Sequence, residues 1–193
     1  MDLVGELVTL RAQSDEDAAG YATILADGPT VRHLAQWSRP PAGVAEELEF
    51  LHARPAAAQN WAIEITSAHN LVGACGLADI NTVSRRADFG IFIGPPSQWG
   101  HGYGAEATRL TVGYAFHHLN LRKVTLHVYA GNDRAQRVYE RCGFAVEAVL
   151  PRHTWLNGTY VAETLMAVYR DNPLYAPAQP QEEAAGRRRN PSE

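Results

Sequence analysis

Cysteine is scarce in this 193-residue chain: Cys75 and Cys142 stand far apart and in no metal-ligand spacing. They read as two small buried apolar side chains in a reducing cytosol. Basic charge is not in excess, since 17 Lys and Arg face 21 Asp and Glu, a net charge of -4. A duplex nucleic-acid binder needs a basic face to neutralise phosphates, so that class is disfavoured, whereas a cationic substrate suits the balance. No apolar run approaches the roughly 20 residues that span a bilayer. Met1-Asp2 opens the chain without a basic stretch ahead of an apolar one, so no secretory signal is expected and the protein is placed in the cytoplasm. The eight histidines include no His-x-x-x-His, and His117-His118 point two ways off a helix, so no metal site is expected.

What is present is ordinary globular material, 46% hydrophobic and 20% charged, enough for one domain over residues 1–175. Residues 176–193 lack apolar anchors and end in three arginines, which reads as a disordered, solvated tail. Residues 6–11 alternate as a strand, and Ser14 is placed to cap a helix with Ala18, Tyr21, Ala22 and Leu25 on one face, stopped by Gly28-Pro29. A second helix carries Val44, Leu48 and Leu51. From residue 61 the period shifts to two, giving strands at 61–66, 71–77 and 88–93. A glycine-rich loop at 98–104 leads into a helix reaching about Leu119, then a strand at 123–129 and a helix opened by Asn132. Gly143 is suited to end that helix in the left-handed conformation. Asn157-Gly158, a pair favoured in type I′ turns, joins two final strands.

Gln98-Trp-Gly-His-Gly-Tyr-Gly-Ala105 places glycines at alternate positions between an apolar strand and a helix. Exposed N–H groups and a helix N-terminus suit a phosphate or pyrophosphate. The loop lacks the lysine of a P-loop. It also lacks the Rossmann spacing, because the third glycine comes one position early and the next strand ends in Tyr-Ala-Gly rather than an acid. A second unit, Val128-Tyr-Ala-Gly-Asn-Asp-Arg-Ala-Gln-Arg-Val-Tyr-Glu-Arg-Cys-Gly-Phe144, sets Asn132 at a helix start and Tyr139 seven residues on.

Residues 88–107 with 124–144 resemble the GNAT superfamily of acetyl-CoA-dependent N-acetyltransferases. The whole stretch from the opening strand to Tyr169 resembles its ribosomal-protein-alanine acetyltransferase branch. The resemblance implies an α/β fold, a mixed, mostly antiparallel sheet of six or seven strands with helices on both faces. It implies direct transfer of an acetyl group from acetyl-CoA to a primary amine, a protein N-terminus or a small molecule. The pyrophosphate loop then falls on Trp99, Gly100, His101, Gly102, Tyr103, Gly104 and Ala105, with Trp99 departing from the usual Gln or Arg. Ile91, Phe92 and Ile93 match the strand that receives the pantetheine arm. Asn132 matches the residue that binds that arm, on a helix that also carries Ala135, and Tyr139 matches the one facing the cofactor sulfur.

Such a transfer needs a base for the amine, a donor for the growing oxyanion and an acid for the leaving thiolate. Tyr139 is the candidate acid, and it also lies on an apolar stripe where a core tyrosine would sit. A backbone N–H of residues 89–93 would polarise the carbonyl. Asp88 is the candidate base, with Glu64 or a water chain as alternatives. Cys142 lacks a His/Asp partner, which disfavours a thiol intermediate. His33, Trp37 and Arg39-Pro40-Pro41 lie where similar proteins shape the acceptor pocket. Rival readings are a non-catalytic acyl-CoA sensor and a transferase for a longer acyl group such as succinyl. A homodimer joined through the C-terminal hairpin is expected by analogy.

Overall fold

Alternation of small and branched apolar residues builds one sheet, and a computed structural model gives its path. The structure describes residues 1–34, 43–53, 55, 58–156 and 158–176. Eight strands pair in the order β1 (Leu3–Val4), β2 (Val8–Ala12), β3 (Gln59–Ile65), β4 (Leu71–Asn81), β5 (Arg86–Ile93), β6 (Lys123–Tyr129), β8 (Thr159–Tyr169) and β7 (Ala145–Leu156). Every neighbouring pair is antiparallel except β5 with β6. The two-residue β1 exceeds the six or seven strands expected; it is too short to carry a period.

Side-chain alternation divides the sheet's faces. Val72, Cys75, Leu77, Phe89, Val124, Leu126, Val128, Met166 and Val168 form the main core with α4 (Tyr103–His117), through Ala107, Val112, Ala115 and Phe116. Ala74 and Phe92 meet Tyr21 and Leu25 of α1 (Asp17–Leu25) and Leu51 of α3 (Val44–His52) in a smaller cluster. Helices therefore cover both faces. α2 (Gly28–Val31) and α5 (Asp133–Arg141) flank them.

Two helix boundaries differ from expectation. The first helix starts at Asp17 with Glu16 at its N-cap, and the Asp17 carboxylate accepts from the Ser14 N–H at 2.9 Å. Gly28-Pro29 does not merely stop the chain: Asp27 caps a further short helix by accepting from Thr30 N–H at 2.9 Å. Gly143 does adopt φ +87, and a Cβ there would sit 2.8 Å from Nδ2 of Asn172. Residues 35–42, 54, 56 and 57, the Asn157 half of the hairpin turn and the tail from 177 lie outside the described residues. So do Trp37 and Arg39-Pro40-Pro41. No helix among the described residues is long and apolar enough to cross a membrane.

Candidate active site

The parallel pair in the sheet sets up the site. β5 and β6 pair only from Arg86 to Asp88 against Lys123 to Thr125. Beyond Asp88 the two strands have no recorded pairing, so the β6-facing edge of β5 is left with backbone groups that still need partners. A cavity of about 860 Å³ opens at this place, a size that suits an extended ligand.

Its walls combine most of the residues singled out from sequence. Ile91, Phe92 and Ile93 line it from β5. Trp99, Gly100, Gly102, Tyr103, Gly104 and Ala105 line it from the loop and the start of α4. Asn132, Ala135 and Tyr139 line it from α5. The loop turns through left-handed positions at Gly100 (φ +84) and Gly102 (φ +89), where a Cβ would be strained. Gly102 is also the N-cap of α4 and offers no side-chain acceptor. The first-turn N–H groups of α4 thus lack a side-chain cap at the cavity wall, an arrangement that suits an anion.

Trp99 does not take the place of a phosphate-binding side chain. Its indole N–H donates to the Ile93 carbonyl at 2.7 Å, folding the loop back onto β5. The guanidinium of Arg134 lies 3.5 Å from its ring centroid, a cation–π contact that holds a cation at the wall. Arg109 and Arg141 also line the cavity. His101 does not: it is exposed, stacks on Tyr103 at 5.5 Å and lies 3.2 Å from the Ser97 carbonyl.

Tyr139 packs edge-on against Phe89 at 6.4 Å, and burial raises its pKa above the ordinary phenol value, with Cys142 adding to the shift. It stays protonated at any physiological pH. Asn132 accepts from Ala135 N–H at 3.3 Å, so its Oδ1 caps α5. Its side-chain amide group, a donor, is then the part left for a ligand.

The carboxylates considered as bases are placed differently. Asp88 does not line the cavity; it accepts from the Thr125 hydroxyl and lies 3.8 Å from Arg86. Glu64 is also absent from the wall and binds Arg11 at 2.8 Å and His69 at 2.7 Å. Neither cysteine is a ready nucleophile. Burial pushes Cys75 up to about 12 and also raises Cys142. Among the described residues no cluster of three His, Cys, Asp or Glu could hold a metal.

Sequence reasoning passed over Arg134, Arg109, Asn60 and His127, all on the wall. A lone residue in a strand or helix carries no spacing signal, and only tertiary contact brings these together. His33, expected near the acceptor, does line the cavity. Its Nδ1 is buried without a hydrogen-bond partner among the described residues, and burial, then Arg32 and Arg134, lower its pKa, so the ring is neutral.

Comparison with known proteins agrees with this geometry. A family model described as an acetyltransferase (GNAT) domain matches residues 8–145. A spermidine N(1)-acetyltransferase of Vibrio cholerae is 35% identical over 130 residues, covering 66% of this chain and 74% of that protein. One from Escherichia coli K12 is 38% identical over 98 residues, 51% of this chain and 52% of that protein. The V. cholerae spermidine N-acetyltransferase solved with CoA and spermine superposes with a TM-score of 0.76 at 29% identity, covering 87% of this chain and 98% of that one. A putative ribosomal N-acetyltransferase of Bacillus subtilis, YdaF, matches less of the chain, 31% identical over 91 residues and 47% of it. The narrower ribosomal branch is therefore not singled out. The uncapped glycine loop, the wall cations and the unpaired β5 edge fit acetyl-CoA, which supplies the activated acyl group in this reaction class. The chain belongs to the GNAT acetyltransferase family and is an acyl-CoA-dependent N-acetyltransferase.

Proposed function

We propose that the protein acetylates a primary amine of a small molecule by direct transfer from acetyl-CoA, with polyamines the first class to test. The observation that carries this reading is the single cavity wall shared by the α4 N-terminus, the unpaired β5 edge and Tyr139. Anionic groups of the donor are received by the loop N–H groups and by the wall arginines Arg109, Arg134 and Arg141. The thioester then lies against Ile91–Ile93, where a free backbone N–H can stabilise the carbonyl oxygen as charge grows.

Tyr139 serves the leaving group. Its raised pKa means that it does not ionise beforehand, so its O–H is always available to the departing sulfur. The same shift makes a lasting phenolate uphill, so a proton handed to the departing thiolate has to be replaced as it leaves.

The relatives named for spermidine support a polyamine acceptor. A polyamine carries several positive charges, and each needs an anion or water when bound. Among the described residues the wall itself contains no carboxylate. Strand register puts two acids on the same sheet face as the wall residues: Asp88, paired with Ala78, and Glu163, paired with Tyr129. Of the two, Asp88 would meet a distal ammonium after giving up part of its present bonding, while Glu163 keeps its bonds to Thr154 and His127.

Release of the CoA thiol, measured across a panel of primary amines, tests the proposal. We expect amine-dependent release, with spermidine compared against a monoamine of equal length to show whether distal charge matters. Release that does not rise with any amine, despite acetyl-CoA binding, would replace this reading with that of a non-catalytic sensor.

A further inference from the structure

The transfer requires a base, and neither Asp88 nor Glu64 reaches the wall. Among the wall residues that can accept a proton is His127, in the middle of β6 just past the point where β5 and β6 part. Its Nδ1 meets Oε1 of Glu163 on the adjacent β8. Glu163 is 7% exposed, and its other carboxylate oxygen accepts from the Thr154 hydroxyl on β7. Three strands therefore fix one imidazole, and its Nε2 makes no hydrogen bond to a described residue.

Burying a carboxylate is costly unless it is bonded. Here both oxygens are used, one on a threonine and one on the ring that lines the cavity. A carboxylate on Nδ1 fixes the tautomer with Nε2 as the acceptor and orients the ring toward the cavity. The half-exposed ring keeps a route for a proton to solvent.

Resting on the amine acetyltransferase reading, we infer that His127 is the general base of the reaction and Glu163 its positioning residue. His127 Nε2 accepts a proton from the substrate ammonium. The freed nitrogen lone pair forms the C–N bond to the thioester carbonyl carbon as the C–S bond breaks. The second nitrogen proton reaches the departing thiolate by way of the Tyr139 O–H, which gives one proton and regains one. The His127 proton returns to water. The products are the N-acetyl amide, the CoA thiol and one proton released to solvent.

Other titratable and charged groups surround the ring. Tyr129 follows it on β6, and burial and Glu163 raise that phenol's pKa, keeping it neutral. Asp88 with Arg86 lies beyond Thr125. Exposed Arg152 and His153 occupy the irregular stretch of β7 ahead of Thr154. His33 and Arg134 are also on the cavity wall.

The test uses the full chain with an amine that wild type turns over. His127→Gln should lower kcat/KM by about 10²-fold or more and abolish the acidic limb of its pH profile, with the acetyl-CoA-induced rise in thermal midpoint retained. Glu163→Gln should keep part of the activity and shift that limb, because it alters the base without removing it. A His127→Gln variant with the wild-type rate and pH profile would overturn the assignment while leaving the transferase reading intact. A wild type silent toward every amine would instead overturn that reading, and this one with it. If His127→Gln loses the cofactor-induced shift, its defect is structural and the assignment falls unless Glu163→Gln, still folded, moves the limb.

Discussion

At the level of single side chains, Tyr139 and Asn132 make separable contributions. Tyr139→Phe keeps the ring packed on Phe89 and removes only the hydroxyl. We expect kcat to fall by about 10²-fold while acetyl-CoA affinity stays near wild type; steady-state kinetics with a binding titration checks this. An unchanged kcat would remove Tyr139 from the reaction. Asn132→Ala removes both the α5 cap and an amide at the wall. It should cost about 1 kcal/mol of stability and also raise the KM for acetyl-CoA, with thermal unfolding and kinetics reading the two effects. Asn132 is legible in sequence as a helix cap, whereas the cofactor roles expected of Asn132 and Tyr139 come from the family resemblance, since spacing alone puts Tyr139 on an apolar stripe. His127 was not legible, because a lone histidine in an alternating strand looks like any half-exposed polar residue. Its meaning comes from Glu163 on another strand.

Whole elements are joined by contacts that pattern reading does not reveal. The Glu106 carboxylate, one turn into α4, accepts from the backbone N–H groups of Glu6, Leu7 and Val8 at 3.1, 2.7 and 2.7 Å. It ties the start of β2 to the helix that carries the glycine loop. Glu106→Ala leaves those donors without their acceptor and should destabilise by about 1.5–3 kcal/mol. That corresponds to a drop of roughly 3–10 °C in the thermal midpoint; no change would mean that water replaces the carboxylate at no cost.

Arg11 joins β2, β3 and α1 in a similar way, through Asp17 at 2.7 Å and Glu64 at 2.8 Å. Burial alone would raise the Asp17 pKa, but hydrogen bonds from Arg11 and Ser14 outweigh it and hold it below its ordinary 3.8. Hydrogen bonds from Arg11 and then His69 lower Glu64 below its ordinary 4.5. Depressed carboxylates contribute stability above their unfolded pKa and lose it as pH falls through the folded values. Urea unfolding midpoints should therefore decline below about pH 4.5, and Arg11→Met should flatten that decline. An unchanged acid slope in the variant would locate the effect elsewhere.

For the whole molecule, the strands and helices that enclose the cavity were readable because period two and period 3.6 differ clearly over six or more residues. The parting of β5 and β6 was not read from those periods. Strand pairing is a tertiary property, and nothing local marks where a parallel pair ends. The glycine loop is legible as a candidate anion site, and the bonding of Trp99, which departs from the usual Gln or Arg, is not. Its indole N–H serves the Ile93 carbonyl, while Arg134 from α5 stacks on its ring. The account's central claim is that this loop, the β5 edge and α5 together form the acetyl-CoA site. Thermal unfolding with and without acetyl-CoA tests it most directly. At about a hundredfold over the dissociation constant, binding to the folded state stabilises by about 2.7 kcal/mol, which should raise the midpoint by roughly 5–10 °C. A midpoint that does not move at millimolar acetyl-CoA would contradict the claim and leave the glycine loop as a structural turn.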